Sequence, residues 1–325
     1  MSKLLLITQG DPGGIGPEAA LRAYITYKPE AAVFVGDLQV FKETLKLIKS
    51  ALRIHTVENP RDGIFDGCTL NIVNVTVADD YPKCRATKEG GLLSAMCVEK
   101  AVALILNGKA DALVTAPISK EALKLAGIPY PGHTEMLAAL TNTANFAMML
   151  VGGPLRVMLV TIHEALAKVP ELITKDRVLK TLVLANSAAG MLGIDNPKIA
   201  VAGLNPHAGE AGLFGRQETE EIVPAIEEAH HMGISVTGPF PADTLFHKAY
   251  NGHFDIVVSM YHDQGLIPLK MIAFESGVNI TVGLPIVRTS PDHGTAYDIA
   301  HKGVINPQSM CEAMRLAETL KPYPK

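Results

Sequence analysis

Short runs of β-branched and leucine residues alternate with helical patterns along most of this 325-residue chain. The alternation predicts an α/β protein with a largely parallel sheet. Polar clusters follow most of the predicted strands, and ligands bind at the carboxyl ends of strands in open α/β sheets. The sequence therefore predicts one cleft assembled from several loops. The predicted strands are residues 3–8, 32–35, 112–115, 199–202, 234–237 and 256–259, and the predicted helices include 17–27, 91–106 and 307–320.

The composition is that of a globular protein with a substantial core, and the length favours two domains. The formal net charge of −4 gives no electrostatic reason to expect nucleic acid or an anionic membrane as a partner. The apolar runs are far shorter than the ~20 residues that a membrane-spanning helix needs. The four cysteines form no C-x-x-C pair, and the first residues carry no signal-peptide pattern. These features predict a cytoplasmic protein with reduced thiols.

The first predicted strand leads into a glycine-rich loop that opens a helix. Gly14-x-Gly16-x-x-Ala19 formally matches the dinucleotide-binding fingerprint, and Asp37 follows the next strand, where a ribose-binding acid would lie. However, Pro17 falls in the first helical turn and removes one amide that would face a pyrophosphate. The alternative is a tight strand-to-helix turn that needs glycines, and the sequence favours it over a Rossmann site.

Three histidines, His163, His207 and His262, each lie at or just after a predicted strand. Three imidazoles with one open position suit Zn²⁺ or a similar divalent ion. The alternative is that they are polar loop residues or hydrogen-bonded core histidines. Side chains that can orient the rings are Asn205, Asp263 and Gln264, and the histidines that compete for the role are His133, His247, His293 and His301.

Two further segments are suited to binding anions. Residues 132–135 (GHTE) are expected to begin a helix, whose free amides, with a hydroxyl and an imidazole, suit a phosphate. A helix-capping Thr134 is the alternative. Lys270, Asn279 and Arg288 lie in one later stretch and would fit a carboxylate and a phosphate on one ligand, although singly each basic residue could be a surface charge.

Taken together, these motifs resemble the 4-hydroxythreonine-4-phosphate dehydrogenase family of pyridoxal phosphate biosynthesis nearly end to end. The matching segments are residues 10–18 (GDPGGIGPE), 132–135, 205–210 (NPHAGE), 241–244 (PADT), 260–265 (MYHDQG), 277–280 (GVNI) and 288–294 (RTSPDHG). The resemblance implies a divalent metal (Zn²⁺, Mg²⁺ or Co²⁺) held by His163, His207 and His262. It also implies a homodimer that completes the active site, and substrate contacts from His133, Thr134, Lys270, Asn279 and Arg288.

The chain is also similar, more distantly, to the isocitrate and isopropylmalate dehydrogenases, through the glycine-rich loop and residues 293–307 (HGTAYDIAHKGVINP). This likeness implies a two-domain fold with the active site in the interdomain cleft, not a Rossmann fold. Residues 1–125 and 265–325 would form the cofactor-side domain, and 126–264 would carry the metal ligands and the dimerisation surface. The implied cofactor is NAD rather than NADP, because the charge of Asp298 would repel a 2′-phosphate. The implied cofactor contacts are Ile15, His293, Thr295, Asp298 and Asn306.

The resemblance implies NAD-dependent oxidation of the secondary alcohol of 4-(phosphooxy)-L-threonine to a 3-oxo acid that decarboxylates. Lys120, Asp243 and Asp263 are candidates for the general base, and Lys120 is favoured. One alternative is a D-threonate or D-erythronate 4-phosphate dehydrogenase of sugar-acid catabolism. Others are a non-redox phosphosugar- or metal-binding protein, or a metal-dependent phosphoester hydrolase.

Overall fold

The structure is a computed structural model that describes residues 2–323, and the chain divides into two compact units. Among the described residues, unit 1 contains residues 2–144 together with Leu284–Leu320, and unit 2 contains Asn145–Gly283 and residues 321–323. The sequence placed these divisions after residues 125 and 264. The observed divisions lie further along the chain, so the 132–135 segment belongs to unit 1, and Lys270 and Asn279 belong to unit 2.

Unit 1 begins as a regular alternation of strands and helices. Its first segment contains the strands β1 (Leu5–Thr8), β2 (Ala32–Gly36), β3 (Arg53–Thr56), β4 (Thr69–Asn74) and β5 (Ala112–Thr115). The helices of this segment are α1 (Gly16–Tyr27), α2 (Leu38–Leu47), α3 (Lys88–Leu106), α4 (Lys120–Leu125) and α5 (His133–Leu140).

Unit 2 follows, and the chain then returns to unit 1. The strands of unit 2 are β6 (Ala147–Gly152), β7 (Leu155–Leu159), β8 (Ile199–Ala202), β9 (Val236–Phe240), β10 (Ile256–Ser259) and β11 (Val278–Val282). Its helices are α6 (Val169–Leu172), α7 (Lys175–Met191), α8 (Val223–His231), α9 (Ala242–Tyr250) and α10 (His262–Ala273). The last strand and helix of unit 1 are β12 (Val287–Pro291) and α11 (Gln308–Thr319).

The strands of unit 1 are all parallel, in the order β3-β4-β2-β1-β5-β12. Residues of β1, β2, β5 and β12 are buried throughout, because helices cover both faces of a parallel sheet. The carboxyl ends of β1, β5 and β12 therefore lie at one edge. Loops that follow these three strands carry most of the candidate residues of unit 1.

Unit 2 is mixed, in the order β11-β6-β7-β10-β8-β9. The strands from β7 to β9 are parallel, whereas β6 pairs antiparallel with both β7 and β11. The predicted strand 234–237 begins later than expected. Ile234 donates its backbone N–H to Ala229 O, 2.9 Å away, at the end of α8, so pairing in β9 starts at Val236.

The α/β class predicted from the alternating pattern is confirmed. In each unit most neighbouring strands are parallel, and β6 is the exception, since it pairs antiparallel with β7 and β11. Within residues 2–323, no helix is both long enough and apolar enough to cross a bilayer.

Candidate active site

The glycine-rich loop between β1 and α1 packs tightly against the backbone of its own unit. A Cβ atom at Gly10 would lie 2.3 Å from Pro117 O. One at Gly14 would lie 2.8 Å from Thr295 O, and the Ile15 N–H donates to the same oxygen at 2.9 Å. Glycine is required at these two positions because the neighbouring backbone fills the space that a side chain would occupy.

Asp37, the candidate ribose-binding acid of the Rossmann interpretation, caps helix α2 instead. Its carboxylate accepts hydrogen bonds from Gln39 N at 2.7 Å and from Val40 N at 3.2 Å. The Tyr81 hydroxyl donates to the other carboxylate oxygen at 3.4 Å. Asp37 is 2% exposed, and both its carboxylate oxygens accept hydrogen bonds within the protein.

The two segments that resemble cofactor-binding motifs meet in unit 1. The Tyr297 hydroxyl donates to Asp11 at 2.7 Å, and a ring nitrogen of His301 lies 3.1 Å from Pro12 O. Asp11 is almost fully buried and also accepts from Gly13 N at 2.8 Å. Burial raises the pKa of Asp11, although its hydrogen bonds oppose that shift. Sequence reasoning missed the pairing of Asp11 with Tyr297, since residues 286 positions apart in sequence give no local signal. The apolar contact between the segments is formed by Ile15, Ala19, Ala300 and Ile305.

The remaining candidate residues for cofactor binding differ in their exposure and in the hydrogen bonds that they already make within the protein. His293 Nε2 is buried and makes no hydrogen bond within the described residues, and burial lowers the pKa of this ring. Asp298 is exposed, and it lies in a turn rather than in a strand. Asn306 accepts a hydrogen bond from Gln308 N at 2.9 Å at the start of α11. A buried imidazole nitrogen without a protein partner is suited to a polar ligand.

A buried cation lies where β5 and β12 run side by side in unit 1. Arg288, in β12, is 2% exposed. Its Nε and Nη2 atoms donate to the hydroxyl of Thr115 at 3.1 and 2.7 Å. Burial lowers the pKa of Arg288 to about 9, with Glu135 acting in the opposite direction, so the guanidinium stays protonated at neutral pH. A buried guanidinium is a strong and bidentate site for a carboxylate or a phosphate.

His133 lies close to this cation at the start of α5. Burial lowers the pKa of His133 well below its usual value, and the charge of Arg288 lowers it further. The ring is therefore neutral at physiological pH. Its Nε2 atom is buried and makes no hydrogen bond within the described residues. Helix α5 begins after Gly132, so Thr134 lies in the first turn and the alternative that it is the capping residue is wrong.

Lys120 begins helix α4 on the same side of unit 1. The preceding residue, Ser119, caps the helix by accepting a hydrogen bond from Ala122 N at 3.1 Å. A Cβ atom at Gly132 would lie 3.9 Å from Lys120 Cε, which places the lysine beside the start of α5. Of the three candidate bases, Lys120 is therefore the one that lies next to the His133 segment.

The neutral state of His133 makes stability depend on pH. Folding lowers the pKa of His133. Below about pH 6.5, His133 therefore binds a proton in the unfolded chain but stays neutral in the folded chain. We expect the free energy of unfolding to fall by up to about 1.4 kcal/mol per pH unit from this one group as pH drops from 6.5 to 5. In urea titrations at several pH values, His133→Gln should show a shallower slope than the parent. His253→Gln, which alters an exposed histidine, should keep the parent slope, and equal slopes for all three proteins would contradict the assignment.

Two of the three candidate metal ligands lie together in unit 2. The ring centroids of His163 and His262 are 5.9 Å apart. His262 Nδ1 lies 2.7 Å from Asp263 Oδ1, a contact that orients the ring and leaves Nε2 for another partner. Both histidines line a cavity of about 360 Å³, with Glu164 and Tyr261 also on its wall. The donor chemistry suits a divalent cation.

His207 is not brought into this pair. It lies after β8 in a loop whose residues 207–211 all have positive φ, and its ring is 6.1 Å from that of Phe214. In the part of the chain that the structure describes, no three His, Cys, Asp or Glu side chains gather closely enough to hold a metal ion. Within one chain, His163 and His262 therefore lie together, and His207 does not join them in a three-ligand cluster.

The Gln264 side chain forms hydrogen bonds with the two segments that precede His207 and His262. Its Nε2 donates to Gly203 O after β8, and its Oε1 accepts from Met260 N after β10, both at 2.7 Å. The sequence had suggested Gln264 only as a group that could orient a ring. The structure shows that it joins two strand ends.

The other candidates of unit 2 are more dispersed. Asn279, in β11, has a buried Oδ1 atom without a hydrogen bond inside the described region. The Lys270 ammonium lies 6.0 Å from the centre of the Phe274 ring. Asp243, in the first turn of α9, is exposed, and Asp263 is 71% exposed while it contacts His262.

A buried guanidinium, neutral imidazoles and a glycine-rich loop in an α/β fold are features suited to binding small anions. The sequence profile of the family described as "Pyridoxal phosphate biosynthetic protein PdxA" matches residues 28–317. The chain belongs to this family.

Curated relatives carry two different enzyme names. The chain is 43% identical to the D-threonate 4-phosphate dehydrogenase of Pectobacterium atrosepticum, over 98% of this chain and 100% of that protein. It is 46% identical to the 4-hydroxythreonine-4-phosphate dehydrogenase of Desulforapulum autotrophicum, over 96% and 93%. Among solved structures, a 4-hydroxythreonine-4-phosphate dehydrogenase from Klebsiella pneumoniae is similar, with a TM-score of 0.92, 41% identity and 98% of each chain covered.

Proposed function

We propose that the protein oxidises the secondary alcohol of 4-(phosphooxy)-L-threonine with NAD, to a 3-oxo acid that loses carbon dioxide. The observation that carries the proposal is the buried Arg288 beside His133, whose ring is neutral and whose Nε2 has no protein partner. This pair suits an anionic group with a neighbouring hydroxyl. Relatives that cover nearly the whole chain are named 4-hydroxythreonine-4-phosphate dehydrogenase.

We propose that the nucleotide binds as in the isocitrate and isopropylmalate dehydrogenases rather than in a Rossmann fold. In support, Gly10 and Gly14 pack against protein backbone, Asp37 caps a helix, and the 293–307 segment lies against the glycine-rich loop. The proposed cofactor contacts are Ile15, His293, Thr295, Asp298 and Asn306.

We propose that the substrate is anchored by Arg288, His133 and Thr134 of unit 1 and by Lys270 and Asn279 of unit 2. Arg288 would pair with an anionic oxygen, and the neutral His133 would share a hydrogen bond with a polar group of the substrate. Asn279 would use its unpartnered Oδ1 to accept a hydrogen bond.

The proposed metal ligands are His163, His207 and His262. When bound, a divalent cation supplies Lewis acidity at the alcohol and NAD supplies the hydride acceptor. Asp263 holds the ring of His262 in place. Lys120, beside the start of α5, is the proposed acceptor of the hydroxyl proton, since Asp263 is engaged with His262 and Asp243 is exposed in α9.

We propose a homodimer in which His207 and His262 of one metal site come from different subunits. The separation of His207 from the other two histidines in one chain supports this arrangement. Helix α10, which begins at His262, also exposes the apolar side chains of Ile267 and Met271, one helical turn apart, and Phe274 is exposed directly after its end. Such an apolar surface is suited to burial against a second copy.

The proposed activity is tested by following NADH absorbance with 4-phosphohydroxythreonine and Zn²⁺, Mg²⁺ or Co²⁺. Metal-dependent NADH formation, lost in the presence of a chelator, is the expected result. Phosphate release without NADH would identify a hydrolase, and the absence of both would refute the proposal.

A second candidate substrate is D-threonate or D-erythronate 4-phosphate, in which a hydroxyl replaces the amino group. It is favoured by the name of the Pectobacterium relative, which the chain matches over its full length. The same assay with the three substrates at equal concentration distinguishes the candidates, because the ratio of kcat/KM values measures the preference directly.

The exposed Asp298 leads to a prediction about cofactor choice. A carboxylate accepts hydrogen bonds from a ribose diol, whereas a 2′-phosphate brings like charge against it. We expect kcat/KM for NAD to exceed that for NADP by at least about tenfold, equivalent to about 1.4 kcal/mol, and Asp298→Asn to narrow the gap. If Asp298 only supports the turn, the substitution will lower the unfolding midpoint and leave the NAD/NADP ratio unchanged.

A further inference from the structure

The loop that carries His207 has a backbone conformation that side chains usually avoid. Residues 207–211 have φ values between 44° and 82°, and four of these five residues carry a side chain. The left-handed region is unfavourable for such residues, and runs of it persist only where the surrounding structure determines them. Some contact must therefore hold this loop in place.

The carboxylate of Glu218 provides contacts on both sides of His207. Its Oε1 accepts from Asn205 N at 2.7 Å, and its Oε2 accepts from Asn205 Nδ2 at 2.9 Å. On the other side, a Cβ atom at Gly209 would lie 2.7 Å from Glu218 Oε2. Glu218 thus fixes the residue two positions before His207 and packs against the residue two positions after it.

Glu218 is 2% exposed, although it carries a carboxylate. It begins a π-helical turn, Glu218–Ile222, that precedes α8. The preceding residue, Gln217, accepts from the same Asn205 Nδ2 at 3.0 Å. Single π-turns are often associated with functional sites, and a buried carboxylate is retained only where hydrogen bonds compensate its desolvation.

We propose that Glu218 is the positioning residue for His207, and that it fixes the left-handed loop so that the imidazole is presented to a divalent cation. The inference rests on the proposed metal site. Glu218 does not itself meet the cation, because both its carboxylate oxygens are directed to Asn205. Its effect is on metal affinity, through the orientation of another side chain.

The test is Glu218→Gln, which keeps the shape of the side chain but replaces one acceptor oxygen with an amide that faces a donor. The matched control is Glu221→Gln in the same turn, since the Glu221 carboxylate accepts from Lys175 N, at 2.5 Å, at the start of α7. Zn²⁺ or Co²⁺ affinity is measured on the purified proteins by chelator competition, and Co²⁺ absorption reports ligand geometry. We expect about 10- to 100-fold weaker binding and an altered Co²⁺ spectrum for Glu218→Gln, with parental values for Glu221→Gln.

His207→Ala separates failure of this inference from failure of the metal site. If His207→Ala does not weaken metal binding, the proposed metal site is wrong. If it does and Glu218→Gln binds as tightly as the parent, only the role of Glu218 is overturned. Should Glu218→Gln fail to fold, Asn205→Ala removes the Nδ2 contact while the backbone contact remains, and the inference requires it to weaken metal binding too.

Discussion

His207→Ala is expected to lower metal-dependent NADH formation by about a thousandfold or more, and excess metal should not fully restore the activity. A bound cation contributes several kcal/mol to stabilisation of the transition state, and each 1.4 kcal/mol corresponds to about tenfold in rate. His207 is exposed and has no role in the core, so the variant should unfold at the parental temperature without metal. His231→Ala, at an exposed histidine of α8, is the control and should retain full activity.

Mixing two inactive variants tests whether the metal site is shared between subunits. Refolding His207→Ala with His262→Ala as a mixture should give heterodimers in which one of the two sites has all its ligands. With random pairing, about a quarter of all sites would be intact, so roughly a quarter of parental activity should return. If all three histidines of a site come from one chain, no mixture will regain activity.

Arg288→Met is expected to lower kcat/KM by roughly 30- to 4,000-fold, because loss of one partner of a buried charged pair costs about 2–5 kcal/mol. Methionine fills a similar volume without the desolvation cost of a buried charge, and this offsets the loss of the hydrogen bonds to Thr115. Activity should therefore fall while the unfolding midpoint is kept. Steady-state kinetics and thermal unfolding of the same preparations check both expectations.

Thr115→Val serves as the comparison for Arg288→Met. It removes the hydroxyl that accepts from Arg288 at 2.7 and 3.1 Å but keeps the guanidinium. We expect a smaller loss than for Arg288→Met, since the charge that would meet the substrate remains. If Thr115→Val is the more damaging change, Arg288 acts through the packing of β5 and β12 rather than as an anion site.

The sequence predicted the strand ends at residues 112–115, 199–202 and 256–259, and the structure has the same bounds. These runs are buried on both faces and bounded by polar residues, so local composition determines where they begin and end. The strand expected at 234–237 starts two residues later because Ile234 closes the last turn of α8. The hydrophobic pattern alone does not show whether a residue such as Ile234 will hydrogen-bond to the preceding helix or to a neighbouring strand.

The candidate site was predictable in its residue types and only partly in its arrangement. The two segments expected to bind anions indicated Arg288 and His133, and the structure places both in unit 1. The same reasoning could not find Glu218 or the contact of Asp11 with Tyr297, since these depend on hydrogen bonds between segments apart in sequence. It also gave no indication of the left-handed loop at His207, because alanine and glutamate rarely adopt that conformation.

Unit 1 is built from two stretches of chain separated by the whole of unit 2, and this affects folding during synthesis. Strand β5 acquires its outer neighbour, β12, only after residues 145–283 have been made. At about 5–20 residues per second, that interval is about 7–28 s on the ribosome. Throughout it the nascent β5 has an unpaired edge, a state in which strands tend to pair with other chains. Arg288 also emerges after this interval, so the anion site of unit 1 cannot form before translation has passed residue 288.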